Sequence, residues 1–269
     1  MNKKNFLNRS LIALIYSSIF LICLFYNSTS FGVLGIIITV LVIREFSRIC
    51  NLSITKSIFG IFFYFTLTFL SEYISNFIFI LLGISILTNI YLLFNLIMNK
   101  SFRFKKIPSL LLLLFHITLS LFFLFQLPIL NNSYDPIYIL FLLIIVWTSD
   151  SAGYFFGIKF GKRKLMKSIS PKKTIEGLAA SLFFSMIISL IFGYITEYKN
   201  LIEIVVIGIF ISVLGSIGDL IESKFKRQSG VKDSGNLLKS HGGLYDRLDS
   251  LIFTAPFIYL LYFLNILKF

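Results

Sequence analysis

The sequence is poor in charge. Only 14% of its 269 residues are charged, and just 12 are acids. A soluble domain runs nearer about 25% charged, so that class is excluded. Cysteine is scarce as well. Cys23 and Cys50 lie far apart near apolar segments, which excludes a disulfide framework or a cysteine metal knuckle and leaves two buried free thiols. The chain holds two histidines and one tryptophan. No catalytic His-Asp pair stands out. His116 sits in an apolar run and reads as a packed polar residue, and Trp147 fits an interfacial anchor. No long linker or low-complexity tract divides the chain. No small-residue cleavage site follows MNKKNFLNRS, so the first apolar run reads as a retained span.

What is abundant is apolar. Hydrophobic residues make up 57% of the chain, and the mean hydropathy is +0.89. Apolar runs fall near 11–26, 31–43, 57–70, 77–97, 110–127, 137–149, 177–195, 201–217 and 250–267. About 20 apolar residues cross a bilayer as a helix, and helices satisfy their backbone groups internally. The expected fold is therefore all-α, a polytopic membrane bundle of about nine transmembrane helices with short loops. The second, third and sixth runs hold only 13 or 14 residues. They must extend into polar neighbours, pack inside the bundle or re-enter. The expected division is 1–109 as N-terminal transmembrane helices and 110–269 as a transmembrane catalytic region with cytoplasmic loops 150–176 and 218–249.

Basic residues give the orientation. With a cytoplasmic N-terminus, the inward segments 1–10, 44–56, 98–109, 150–176 and 218–249 carry three, three, four, seven and six Lys or Arg. Only Lys199 and Lys268 of the 25 fall outside. That bias places the N-terminus and the two long loops in the cytoplasm. The net charge of +13 is thus mostly a topology signal, and nucleic acid is not an expected partner.

Seven of the 12 acids crowd into 150–176 and 218–249. Anchoring a helix end needs Lys and Arg; it does not need aspartates. Asp219 follows VLGSIG at the end of an apolar run, where a carboxylate costs free energy unless it has a partner. Glu222, three positions on, shares its helix face. Asp246 and Asp249 are also three apart and open the last span. HGG precedes them, and a free helix N-terminus there would suit a phosphate. Antiparallel helices would bring Asp219, Asp246 and Asp249 together. Such acids repel unless a cation lies between them, and Mg²⁺ favours hard oxygens shared with phosphates. Lys224, Lys226, Arg227, Lys232 and Lys239 stand around this cluster. Lys172 and Lys173, between Pro171 and a capping Thr174, are candidate phosphate contacts, and His241 is a candidate contact to a phosphate or base. Asp150 is a candidate for the same cavity. GIKFGKR, 157–163, fails as a P-loop: it is one residue short and has Arg163 where Ser or Thr is required. Fixed cations and a divalent ion describe a polyphosphate site, so phosphoryl or nucleotidyl transfer is expected. A cation-binding transporter is the alternative, but the charges gather at one face and not at mid-membrane.

SKFKRQSGVKDSGNLLKSHGGLYDRLDS, 223–250, closely resembles the signature of the phosphatidate cytidylyltransferase (CDP-diacylglycerol synthase) family. That signature runs Ser-x-apolar-Lys-Arg, four residues, Lys-Asp-x-small, then His-Gly-Gly-apolar-x-Asp-Arg-apolar-Asp. GDLIES, DSAGYFFGIKFGK and ISPKKTIEG look like further family segments, so the resemblance covers roughly 148–250. One departure is Lys239, where the family generally has Pro or Gly. The resemblance implies a membrane enzyme of phospholipid biosynthesis that joins CTP and phosphatidic acid into CDP-diacylglycerol and pyrophosphate. It implies Mg²⁺ dependence, often with a monovalent cation such as K⁺, a homodimer, and residence in the cell inner or plasma membrane. By position, Asp219 and Asp246 match the catalytic metal-holding residues. Asp249 would assist them, and Lys172, Lys173, Arg227, Lys232, His241 and Arg247 would bind substrate phosphates. A CTP-dependent lipid-alcohol kinase is the alternative within enzymes.

Overall fold

The computed structural model describes residues 3–71, 73, 77–102, 106–130, 133–235, 237 and 242–269. Nine helices form among them, one for each apolar run. They are α1 (Lys3–Tyr26), α2 (Ser28–Ile49), α3 (Ile54–Phe69), α4 (Ile78–Ile97), α5 (106–126), α6 (Ile137–Phe160), α7 (Ile175–Ile195), α8 (Leu201–Gln228) and α9 (Tyr245–Phe263). α5 is α-helical over Lys106–Leu112 and Leu119–Gln126, with a π turn at Leu113–Thr118 between them. Six helices, α2 and α4–α8, are long and apolar enough to cross a membrane. α9 has the length as well, but it carries Asp246 and Arg247 in its first turn and Asp249 just beyond it. The protein is an integral membrane bundle, and its outer surface confirms the solvent it meets. Phe62, Phe69 and Tyr194 are 67%, 83% and 80% exposed, which suits lipid and not water.

Two of the short runs resolve by extension. α2 reaches Ile49 and α6 reaches Phe160, while α3 stays at 16 residues. α8 likewise runs on to Gln228. The expected loops 150–176 and 218–249 are therefore helix for a good part of their length. Asp150, Asp219 and Glu222 stand on rigid helical faces and not on loops. Asp219 lies nine residues before the end of α8, about 13 Å of helix, so it is recessed into the bundle.

The all-α expectation holds apart from two small antiparallel ribbons. β1 (Ile129–Leu130) pairs with β2 (Ser133–Tyr134), and β3 (Lys164–Met166) pairs with β4 (Ser170–Thr174). The second ribbon links α6 to α7. Thr174 caps α7 by accepting from Gly177 N at 3.1 Å, and Glu176 accepts from Lys162 N and Arg163 N at 3.0 and 3.2 Å. These bonds fix Lys172 and Lys173 beside the helix start.

Small residues let α6, α7 and α8 approach closely. Gly177, Ser181, Ser185, Ser189 and Gly193 recur every fourth residue and are buried along α7. A Cβ on Gly177 would come within 2.7 Å of the Gly153 carbonyl oxygen. Membrane helices associate by such close packing, since lipid tails are as apolar as the side chains they replace. The glycines of GIKFGKR belong to this seam: Gly157 and Gly161 pack against Thr174 and form no phosphate cradle. His116 is buried with Nδ1 2.7 Å from Asn89 Oδ1. Both cysteines are free; Cys50 is buried and Cys23 half-buried.

Candidate active site

Residues from four helices, α2, α6, α8 and α9, and from the β3–β4 ribbon meet at one end of the bundle. Gly218 sets the approach of α8 to α9: a Cβ there would stand 2.8 Å from the Asp249 carbonyl oxygen. With the backbones this close, Asp219 and Glu222 of α8 face Asp249 of α9. One oxygen from each of these three acids lies within 4.8 Å of the others. Asp150 on α6 lies within electrostatic reach of Asp219, Lys173 and Arg247.

Two lysines are threaded through the acids. Lys173 Nζ stands 2.7 Å from Asp219 Oδ2. Burial opposes its charge, but the Asp219 carboxylate, aided by Asp150 and Asp249, outweighs that and raises its pKa. Lys226 Nζ stands 2.7 Å from both Glu222 Oε2 and Asp246 Oδ1. Ser223 Oγ donates to Asp219 Oδ1 at 3.2 Å. Glu222 is 1% exposed, and its Oε1 meets no hydrogen-bond donor among the described residues.

Asp246 is held differently. Its Oδ2 accepts from Gly243 N at 2.7 Å and from Ser234 N at 3.0 Å. Glu45, from the far end of α2, takes the next two amides: Leu244 N at 3.0 Å and Tyr245 N at 2.8 Å. Ser234 Oγ also donates to Glu45, at 3.0 Å. This corrects the expectation of a phosphate on the free N-terminus of α9. The protein's own carboxylates already occupy those donors, because they are acceptors fixed at the positive end of the helix.

The other expected residues divide. Lys224 turns away from the acids; its Nζ donates to Asn95 O at 2.8 Å and lies 4.7 Å from the centroid of the Phe102 ring. That contact caps α4 and ties it to α8. Lys172, Arg227, Lys232 and Arg247 are exposed, and Arg227 Nη1 donates to Val231 O at 3.3 Å. His241 and Lys239 lie outside the described residues. Sequence reasoning missed Glu45 altogether and gave Glu222 and Lys226 only supporting places. The available signal for Glu45 was a lone acid at the end of an apolar run, the same signal that singled out Asp219.

Carboxylates converging on a recessed spot, with two lysines between them, suit a polyphosphate and a divalent ion. The cytidylyltransferase family profile matches residues 7–265. The chain belongs to the cytidylyltransferase family. Among curated relatives, the phosphatidate cytidylyltransferase of Bacillus subtilis (strain 168) is 36% identical over 171 residues, which is 63% of each chain. That of Staphylococcus aureus (strain COL) is 45% identical over 125 residues, 46% of this chain and 48% of its own. That of Staphylococcus haemolyticus (strain JCSC1435) is 42% identical over 125 residues, 46% and 48% respectively. The matches thus span from about half to 63% of these relatives' own lengths.

Proposed function

We propose that this family member is a phosphatidate cytidylyltransferase that forms CDP-diacylglycerol and pyrophosphate from CTP and phosphatidic acid. The observation that carries the reading is the group Asp219, Glu222 and Asp249, laced with Lys173 and Lys226 and recessed at one end of a membrane bundle. Its donor set fits a divalent metal. Three carboxylates converge, and the buried Glu222 Oε1 meets no hydrogen-bond donor, so a hard cation would satisfy it. Mg²⁺ is the ion proposed, with a monovalent cation such as K⁺ beside it. Asp219, Glu222 and Asp249 would hold the divalent ion; Asp246, expected from the sequence to hold it too, lies outside that group, paired through Oδ1 with Lys226 Nζ at 2.7 Å, and is proposed to support it from there. When bound, that ion supplies charge neutralisation for the triphosphate.

The chain's own residues do the rest. A phosphatidate oxygen attacks the α-phosphorus of CTP in line, the new P–O bond forms, and the bond to pyrophosphate breaks. Lys172, Lys173, Arg227, Lys232, His241 and Arg247 bind and neutralise the phosphates of the two substrates. No strong general base is required, since a phosphomonoester has its second pKa near about 6 and is already largely ionised. Lys173 stays cationic because Asp219 is beside it, and so remains able to pair with an incoming phosphate. The lipid tails stay in the bilayer while the headgroup meets CTP at the recessed acids. The basic-residue bias supports a cytoplasmic site and N-terminus, in an inner or plasma membrane. A homodimer is the proposed assembly.

The deciding experiment supplies purified protein with labelled CTP and phosphatidic acid, with and without Mg²⁺, and identifies products. CDP-diacylglycerol and pyrophosphate are expected, with nothing formed in excess EDTA. Release of CDP would make the protein a kinase, and turnover in EDTA would remove the divalent ion from the reading.

A further inference from the structure

We propose that Glu45 is a positioning residue that fixes the first turn of α9 and thereby sets where Asp246 and Asp249 stand. The inference rests on the reading above, that these acids hold a divalent ion for nucleotidyl transfer. Glu45 is 4% exposed, too enclosed to touch substrate. Both its oxygens are engaged: Oε1 by Leu244 N, and Oε2 by Tyr245 N and Ser234 Oγ. A carboxylate is acceptor-only, so it answers three donors at once, and its charge faces the positive end of α9. Asp246 takes the adjoining amides of Gly243 and Ser234. The two acids thus share one row of donors, and a shift in Glu45 would be passed to Asp246.

The surroundings are shaped to this carboxylate. A Cβ on Gly235 would stand 2.6 Å from Glu45 Oε1, and one on Gly243 would overlap Glu45 Oε2 and Ser234 Oγ. These two glycines therefore allow the close approach of Ser234, Gly235 and Gly243 to Glu45. Next along α2, Phe46 packs edge-on against Tyr245 and Phe225 at 5.9 and 5.4 Å. That contact seats the end of α2 against both α8 and α9, the two helices that carry the acids. Metal-site acids depend on such supporting hydrogen bonds, and losing one typically costs about 10- to 100-fold in metal affinity or activity.

The test uses the full chain in detergent, titrated with Mn²⁺ without substrate and read by the loss of free-ion EPR signal, then assayed for transfer against Mn²⁺ concentration. Glu45→Gln is expected to weaken Mn²⁺ binding by about 10-fold. The half-saturating ion concentration should rise equally, and the rate at saturating ion should recover towards that of the parent. A merely structural role would lower the rate with the folded fraction and leave the half-saturating concentration unmoved; that result overturns the proposal. If Glu45→Gln does not fold, Ser234→Ala removes one donor and should weaken binding in the same direction, by about 2- to 5-fold. Unchanged binding in Ser234→Ala would then overturn it. A parent that binds Mn²⁺ yet makes no CDP-diacylglycerol refutes the reaction while the Mn²⁺ titration still judges Glu45. A parent that binds no Mn²⁺ refutes both.

Discussion

Glu45 and Glu222 are both buried acids at the same end of the bundle, at 4% and 1% exposure. Their surroundings differ in kind. Glu45 accepts three hydrogen bonds, from Ser234 Oγ and from Leu244 N and Tyr245 N at the start of α9. Glu222 has one lysine on Oε2, two acids within 4.8 Å, and an Oε1 with no donor among the described residues. Burial alone therefore does not mark a working acid. A satisfied buried carboxylate supports architecture. One left short of donors beside other carboxylates is a place where a cation belongs.

Substitutions can break that comparison or sharpen it. The largest effect is expected at Asp219, which joins Glu222 in the converging group. Asp219→Asn should cut CDP-diacylglycerol formation by at least about 100-fold while membrane insertion, followed by detergent extraction and size-exclusion, is retained. Normal turnover would remove Asp219 from the metal set. Glu222→Gln should raise the half-saturating Mg²⁺ concentration by about 10-fold or more. Its thermal unfolding should change by less than about 1 kcal/mol, because it neutralises an under-satisfied buried charge. Glu45→Gln should do the reverse in stability, losing about 1–3 kcal/mol, since it leaves buried amides of α9 unpaired. If both variants unfold alike in a thermal shift assay, the contrast between the two acids is wrong. Gly243→Ala should follow Glu45→Gln, costing about 1–3 kcal/mol, because its Cβ is forced onto Glu45 and Ser234. Lys224→Met should give the smallest effect on transfer, within about 2-fold at saturating substrates. Its amino group caps α4 at Asn95 O and does not face the acids.

Much of the fold was legible because membrane helices are declared locally. Each of the nine apolar runs became one helix, since length and hydropathy suffice when lipid is the solvent. The seam of α7 was not read, although its small residues recur every fourth position. Nor were the ribbon at Lys164–Thr174 and the length of α6 and α8 beyond their apolar parts. Polar residues continue a helix readily when its end leaves the hydrocarbon, and hydropathy is silent about that. The site was legible as a set of residue types: Asp219, Asp246, Asp249 and Lys173 all arrive at one end. Their pairing was not. Lys224 and Lys226 are two residues apart and look alike in sequence. On a helix they point to different faces, one towards Asn95 and the other between Glu222 and Asp246.

By itself, the sequence determined the number of helices, the end of the bundle at which charge collects and the acids worth watching. Each of these follows from short-range rules of helix length, hydropathy and motif spacing. Only the tertiary structure decided which acids converge and which serve as caps. That choice rests on a contact between Glu45 and Tyr245, 200 residues apart, and on how closely Gly218 lets α8 approach α9. Hydrogen bonds and Coulomb forces act across space at a few ångströms, and sequence separation carries no record of which helix ends will meet.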